Sequence, residues 1–389
     1  MVALYTRDMK IYFLLVCALT APAAESGSLT VEELRVTEAV QSMAEVTDRF
    51  RSFFEPRLET LLAAQDVDQA AAVVADLGAS LWLEATWVAQ HDRDFDDRGL
   101  YWARLIIRKA VQRAEFAFPI SAEYRRALLE ILESTSRGST QMRFTRMVDK
   151  RIVLSGFDPF LLDRNITQSN PSGVIALFLD GKVIEFKGVS AEINTFIAPV
   201  RYADFDDGEI EGVLSRIYER DNVDLITTVS MGRAHFDLER FPGRRRSATA
   251  PDNLNIYSGA SPTNPKIPML NGKQLAGPEF VEFSLPATVM SQAPGAYGIN
   301  INRQVTTLDQ TFAAQSLADL EGAVAVRGGG GGYLSNEISY RSILLRNQTG
   351  STIPTGHIHT PRIEEFDADV LKSITEQVIQ MLRLSLTVI

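Results

Sequence analysis

The sequence predicts an α/β domain built on a mostly parallel sheet and preceded by an all-helical domain. Two observations carry this. From Leu29 to about Met147 apolar residues recur at helical spacing, whereas from Arg151 onward short β-rich runs alternate with helical ones. Across 389 residues, 45% hydrophobic and 23% charged composition is ordinary for a globular chain and sufficient for two cores. No internal repeat at a solenoid-like period of roughly 20 to 50 residues interrupts the pattern.

In the first part, Val31, Leu34 and Val36 set a helical stripe behind Ser28 or Thr30, with Glu32 and Glu33 completing an N-terminal cap. Further helices are expected at 46–64, 67–87, 99–117 and 122–134, with breaks at Pro56, Asp92 to Asp97 and Pro119. The run from Ser134 to Thr140 reads as a linker. Beyond it, strands are expected at 151–154, 183–188, 194–200, 225–230, 323–326 and 357–359. Helices are expected at 171–179, 208–220, 304–320, 336–346 and 367–384. Residues 241–302, rich in Pro, Asn, Ser and Gly, read as a long irregular segment, the kind that carries function or moves.

A formal net charge of −10 gives no basic face for a phosphate backbone, so nucleic acid is not an expected partner. The single cysteine, Cys17, excludes a disulfide framework and a cysteine-based zinc site. It lies in a stretch that reads as a secretory signal: Lys10, an apolar run from Ile11 to Thr20, then the small residues Ala21, Ala23 and Ala24. The apolar run is too short to span a bilayer. The organisation expected is a signal peptide over 1–24, a helical domain over 25–148 and an α/β domain over 150–389. Cleavage would leave a secreted or periplasmic protein without a thiol or a membrane span.

Three constellations bear chemistry. Gly328 to Gly332 follow an expected strand and lead through Tyr333 and Leu334 to Ser335 and Asn336 at the start of a helix. Such a run is either a flexible linker with Ser335 as a cap, or a turn that sets a hydroxyl against helix N–H groups that favour negative charge. It is not a P-loop, since no Lys-Ser or Lys-Thr follows. His357 and His359 alternate on a strand and so share a face, as two structural histidines, a base or part of a metal site. No third ligand at metal-like spacing accompanies them, and no metal or cofactor is expected. Gly232 to Arg240 read in isolation as a solvated turn. In chain order, however, Glu239, Ser335 and His359 supply an orienting carboxylate, a nucleophile and a base.

The run from Arg151 through Gly156-Phe157-Asp158-Pro159-Phe160, followed by Asn170-Pro171-Ser172, resembles the opening of the pyroglutamyl peptidase I (pyrrolidone-carboxylate peptidase) family. Gly232-Arg233, Glu239-Arg240 and Pro251-Asp252-Asn253 resemble a second block, Tyr333-Leu334-Ser335-Asn336 the nucleophile motif, and Ile358-His359-Thr360-Pro361 the closing motif. The resemblance spans roughly 151–389 and implies a three-layer α/β/α sandwich. It places the catalytic groups on Ser335, His359 and Glu239, and the substrate-facing positions on Phe157, Phe160, Asn170, Val229 and Leu334.

The chain departs from that pattern at three points. Ser335 stands where the family has cysteine, Val229 where it has a pocket glutamine, and Thr249 where it has an oxyanion-binding arginine; Arg244, Arg245 and Arg246 lie nearby. Two functions follow. One is an exported hydrolase that removes an N-terminal pyroglutamyl or similar small residue through a Ser-His-Glu triad. The other is a catalytically inactive relative that binds peptides or partners, with homo-oligomerisation left open.

Overall fold

The computed structural model describes residues 28–220 and 222–389; the expected signal peptide lies outside them. The N-terminal part holds six helices: α1 (Val31–Ser42), α2 (Ala44–Thr47), α3 (Arg51–Leu62), α4 (Val67–His91), α5 (Arg98–Arg113) and α6 (Ala122–Thr135). The cap on α1 is a reciprocal box in which Thr30 Oγ1 accepts from the Glu33 N–H and Glu33 accepts from the Thr30 N–H. Pro56 does not break the chain as expected. It lies inside α3, where one missing N–H is tolerated on a partly exposed helix and the Arg57 guanidinium donates to the Phe53 carbonyl at 2.8 Å.

The second part runs β1 (Lys150–Phe157), α7 (Pro171–Leu179), β2 (Val183–Phe186), β3 (Val189–Ala198), α8 (Tyr202–Asp206), α9 (Glu209–Arg220), β4 (Leu225–Met231) and β5 (Phe236–Glu239). It continues with β6 (Met269–Leu270), β7 (Lys273–Gln274), α10 (Ala287–Met290), β8 (Ile299–Asn302), β9 (Gln304–Thr307), β10 (Thr311–Ala313), β11 (Ala325–Arg327), α11 (Leu334–Thr349), β12 (Thr355–Thr360) and α12 (Ala368–Ser385). Seven strands form one sheet in the order β2-β3-β1-β4-β12-β5-β8. β1, β3, β4 and β12 are mutually parallel; β2 and β5 enter antiparallel, and β8 lies parallel to β5. α7 and α12 cover one face, α9 and α11 the other, giving three layers.

Three expectations fail in this part. The helix expected at 304–320 is instead β9, β10 and a 3-10 turn at Leu317–Leu320, because Val305, Thr306, Thr307, Thr311 and Phe312 suit a pleated surface. The supposedly irregular 241–302 segment contributes β8 to the main sheet, and β5 turns the expected solvated turn at 232–240 into a buried strand.

The helical part is fused to the α/β part. All nine residues of α7 are buried, because the sheet takes one side and α4 the other. Trp82 on α4 donates its indole N–H to Asp180 at 3.0 Å, and Gln90 donates to the Asp180 carbonyl at 2.7 Å. By length and composition alone α4 could cross a membrane, but its apolar stripe at Leu77, Leu81 and Trp82 is buried inside the protein.

The expected linker is also structured. Arg137 is 1% exposed, and Gly138 holds φ of 84° with its α-carbon against Trp82 and the Thr195 carbonyl, space that a β-carbon would need. Arg137 and Arg104 grip the two oxygens of Asp158 at 2.7 and 2.5 Å. Arg137 also binds Glu133 at 2.7 Å, and Glu133 takes Arg108 at 2.9 Å and Arg201 at 3.2 Å. Arg201 reaches Glu32 at 2.5 Å, and Arg108 reaches Glu33 at 3.1 Å. Four guanidinium groups thus meet four carboxylates drawn from both parts of the chain. Burial alone would raise the Glu133 carboxyl, but Arg201, Arg137, Arg108 and Arg104 hold it well below the usual carboxylate range.

Removing one charge from this lattice strands the others in a site without water. Asp158→Asn is expected to lower unfolding free energy by about 3–5 kcal/mol in equilibrium denaturation, while the exposed Asp163→Asn costs about 1 kcal/mol or less.

Candidate active site

The site forms where β12, β5 and the loop after β11 meet. On β12, the alternation places His357 and His359 on one face, with ring centroids 4.8 Å apart and planes at 87°. β5 runs antiparallel beside it, opposing His359 with Asp237 and carrying Glu239 two residues further along the same face. His359 Nδ1 and Glu239 Oε1 are 2.6 Å apart, and Glu239 is fully buried. A carboxylate only accepts, so this bond fixes the proton on Nδ1 and leaves Nε2 as the basic edge of the ring.

Glu239 is itself held. Asn302, at the end of β8, donates from Nδ2 to Glu239 Oε2 at 2.7 Å and to the Gly329 carbonyl at 3.2 Å. Arg233 approaches Oε1 to 3.6 Å. Gly232 packs so closely on His359 that a β-carbon there would lie 2.6 Å from the histidine β-carbon.

The five glycines are not a flexible linker. Gly328 and Gly331 exchange two backbone hydrogen bonds of 3.0 Å, and the Gly332 carbonyl accepts from the N–H groups of Ser247 and Ala248, both at 2.9 Å. A β-carbon on Gly329 would lie 2.5 Å from Glu239 Oε2, and Gly331 holds φ of 88°. This loop delivers the chain to α11 one residue before Ser335, earlier than the expected helix start. Asn336 locks the entry by donating to the Gly243 carbonyl at 2.7 Å and accepting from its N–H at 2.9 Å.

Ser335 therefore lies in the first turn of α11, where Tyr333 provides no side-chain cap for the free N–H groups. Its hydroxyl donates to the Gly330 carbonyl at 3.1 Å. The structure thus pairs His359 with Glu239, brings Glu239 against the glycine loop that leads to Ser335, and directs the serine hydroxyl to the loop and not to the imidazole.

The expected substrate-facing residues divide. Phe160 lies against Tyr333, with centroids 6.4 Å apart, and lines a cavity of about 180 Å³ together with Met231, Gly232, Arg362 and Ile363. Phe157 is buried and stacks on Phe205 at 6.2 Å. Asn170 caps α7, accepting from the Ser172 N–H at 3.1 Å and donating to the Asp158 carbonyl at 2.9 Å. Val229 is packed in the core with Leu238 and Ile358, and Leu334 is packed beneath α11. Phe157, Asn170, Val229 and Leu334 thus serve the fold and present little or no surface to a ligand, a correction to their expected role.

The three arginines near Thr249 are all engaged by carboxylates. Arg244 and Arg245 pair with Glu279, while Arg246 pairs with Glu337 at 2.6 Å and Asp206 at 2.8 Å.

His357 is a fully buried neighbour with a separate role. Thr228 Oγ1 meets its Nδ1 at 2.7 Å and Ser230 Oγ its Nε2 at 2.8 Å. Burial, with a smaller contribution from His359, pushes its pKa well below the ordinary histidine value. Thr228, Ser230 and Asn302 were not singled out in the sequence. The first two carry a readable signal, since Leu225-Ile226-Thr227-Thr228-Val229-Ser230-Met231 sets hydroxyls at alternate positions of an otherwise apolar strand. Among the described residues, no group of three or more His, Cys, Asp or Glu side chains is gathered for a metal.

Residues 17–133 match the family described as the PA0049 N-terminal domain, and residues 151–286 and 291–364 match the PA0049 C-terminal domain. The chain belongs to the PA0049 family. It is 26% identical to the protein PA0049 of Pseudomonas aeruginosa over 414 aligned positions, covering 80% of this chain and 74% of that protein. Among solved structures it is similar to pyrrolidone carboxyl peptidase from Pyrococcus furiosus, at 20% identity and a TM-score of 0.41, covering 61% of this chain and 98% of that one. The corresponding enzyme from Thermococcus litoralis gives 18% identity and a TM-score of 0.42, covering 61% of this chain and 94% of that one.

Two outcomes test this geometry. Gly329→Ala is expected to cost about 1–3 kcal/mol and displace Glu239, whereas Gly331→Ala, with nothing within 4 Å of its added carbon, costs only the left-handed backbone strain of about 1–2 kcal/mol; thermal unfolding of both variants measures the difference. The second concerns pH. Because His357 stays neutral when folded but takes a proton when unfolded below about pH 6.5, its contribution to stability is present above that pH and lost below it, by up to about 1.4 kcal/mol per pH unit. Denaturation between pH 5 and 7 should show this slope, and His357→Gln should flatten it.

Proposed function

We propose that this chain is an exported hydrolase of the pyroglutamyl-peptidase type, cleaving an amide after a small N-terminal residue with Ser335 as nucleophile. The observation that carries the reading is the buried 2.6 Å pair between His359 Nδ1 and Glu239, set against the loop that presents Ser335. Attack requires the Ser335 hydroxyl to rotate from the Gly330 carbonyl and donate to His359 Nε2. Its oxygen then bonds to the substrate carbonyl carbon, His359 holds the proton on Nε2 while Glu239 steadies the imidazolium at Nδ1, the proton passes to the leaving amine as the amide bond breaks, and water repeats the sequence on the acyl-serine. N–H groups of the first turn of α11 stabilise the oxyanion. A serine nucleophile also suits export into an oxidising compartment, where a thiolate would be open to oxidation.

One observation favours a second reading. The serine hydroxyl rests on Gly330, and four of the five positions expected to face substrate support the fold. A non-catalytic module that binds peptide termini in the cavity beside Phe160 fits those facts.

The readings separate in one experiment. Purified protein is offered a pyroglutamyl fluorogenic amide and a fluorophosphonate. The hydrolase reading expects turnover and labelling that vanish in Ser335→Ala, and a fall of about 10²- to 10⁴-fold in His359→Ala. Absence of both turnover and Ser335-dependent labelling sinks it and leaves the binding module.

A further inference from the structure

A cavity of about 430 Å³ lies at the opposite end of β1 from Phe157 and Phe160, about 20 Å away for six residues of extended strand. Its walls come from the segment joining the helical part to β1, from the start of β1 itself and from α9. Four arginines surround it: Arg143, Arg151, Arg216 and Arg220. Among the described residues none that lines it is acidic, in a chain whose net charge is −10. Among the described residues none of the four arginines makes an ion pair, and Arg151 Nε is buried without a hydrogen-bond partner. Two carboxylates flank Arg151 in the sheet, and both are engaged elsewhere: Asp224 by Lys150 at 3.1 Å and the Arg151 backbone N–H at 2.9 Å, and Glu192, its register partner on β3, by the backbone N–H groups of Thr145 and Arg146.

The wall is held in advance of any ligand. The N–H groups of Thr145 and Arg146 donate to Glu192 at 2.9 and 2.8 Å, and the Arg143 N–H donates to Asn194 at 2.9 Å. Phe144, which lies 5.9 Å from the Arg151 guanidinium, and Ile217 give the cavity an apolar side. A buried, unpaired guanidinium nitrogen is costly unless an acceptor reaches it, and a guanidinium is matched in shape by carboxylate and phosphate oxygens.

We infer that this cavity binds a small amphipathic anion, with its phosphate or carboxylate head on Arg151, Arg216 and Arg220 and its apolar body against Phe144 and Ile217. The size falls within the range of small-molecule sites.

Calorimetric titration of the full protein with 1-naphthyl phosphate, inorganic phosphate and 1-naphthol tests it. The first is expected to bind at least tenfold more tightly than either of the others. Arg216→Gln and Arg220→Gln, both at exposed positions with no role in packing, are expected to weaken it together by tenfold or more; Arg151→Gln should do the same alone. Affinity unchanged by these substitutions, or no binding of the naphthyl ester, overturns the site. Inorganic phosphate binding equally well overturns the apolar contribution, and 1-naphthol binding equally well overturns the anionic one. Asp221, beside Arg220 in the chain, lies outside the described residues; Asp221→Asn should leave affinity unchanged or raise it, and a tenfold loss would overturn the assignment.

Discussion

The grip of Arg104 and Arg137 on Asp158 is the constraint on which the rest depends. Asp158 follows directly on β1, so whatever fixes it also fixes Pro159 and Phe160 at the mouth of the site. The arginines come from α5 and the end of α6, and the lattice extends through Glu133, Arg201 and Glu32 back to α1. Ion pairs this deeply buried contribute little net stability compared with apolar packing, because each charge has lost its water. They are unforgiving about geometry, however, and admit one docking of helices on sheet. The helical part is therefore a structural member of the α/β part. Without α4, the outer side of α7 would be an open apolar surface.

Much of the architecture was legible because it rests on local pattern. The strands at β1 and β4 are rich in apolar and β-branched residues, and α7, α9 and α12 carry clear caps or stripes. What was not legible depends on partners distant in sequence. Phe236 to Glu239 look like a charged turn until β12 and β8 lie on either side, which buries all four residues. The Asp158 of the Gly-Phe-Asp-Pro-Phe run gives no local hint that two arginines, 54 and 21 positions earlier, neutralise it. The order of motifs pointed to His359 and Glu239, which the structure brings together. Val229, Leu334 and Phe157 were misplaced because an apolar residue in a motif can face the core as readily as a ligand, and only the direction of the strand or helix decides.

The glycine loop shows how backbone contact replaces side-chain chemistry. Gly329 touches Glu239, Gly330 accepts from Ser335, and Gly332 bonds to the Ser247 and Ala248 backbone. Five residues without side chains let the backbone lie directly on the carboxylate, so that Ser335 and Glu239 are coupled through main-chain atoms. With Arg244, Arg245 and Arg246 all committed to carboxylates, the guanidinium groups left near the site are those of Arg233 and Arg362, in addition to the N-terminus of α11.

The antiparallel seam between β5 and β12 has a further consequence. His359 and Glu239 meet only in one register, since a slip of a single residue would turn the glutamate to the other side of the sheet. β5 is a short strand between neighbours drawn from 60 and 120 positions further along the chain, so it can be inserted only after those segments have arrived. The acid-base pair is therefore a late product of folding. A partly folded chain would lack the pair, which exists only in the finished sheet.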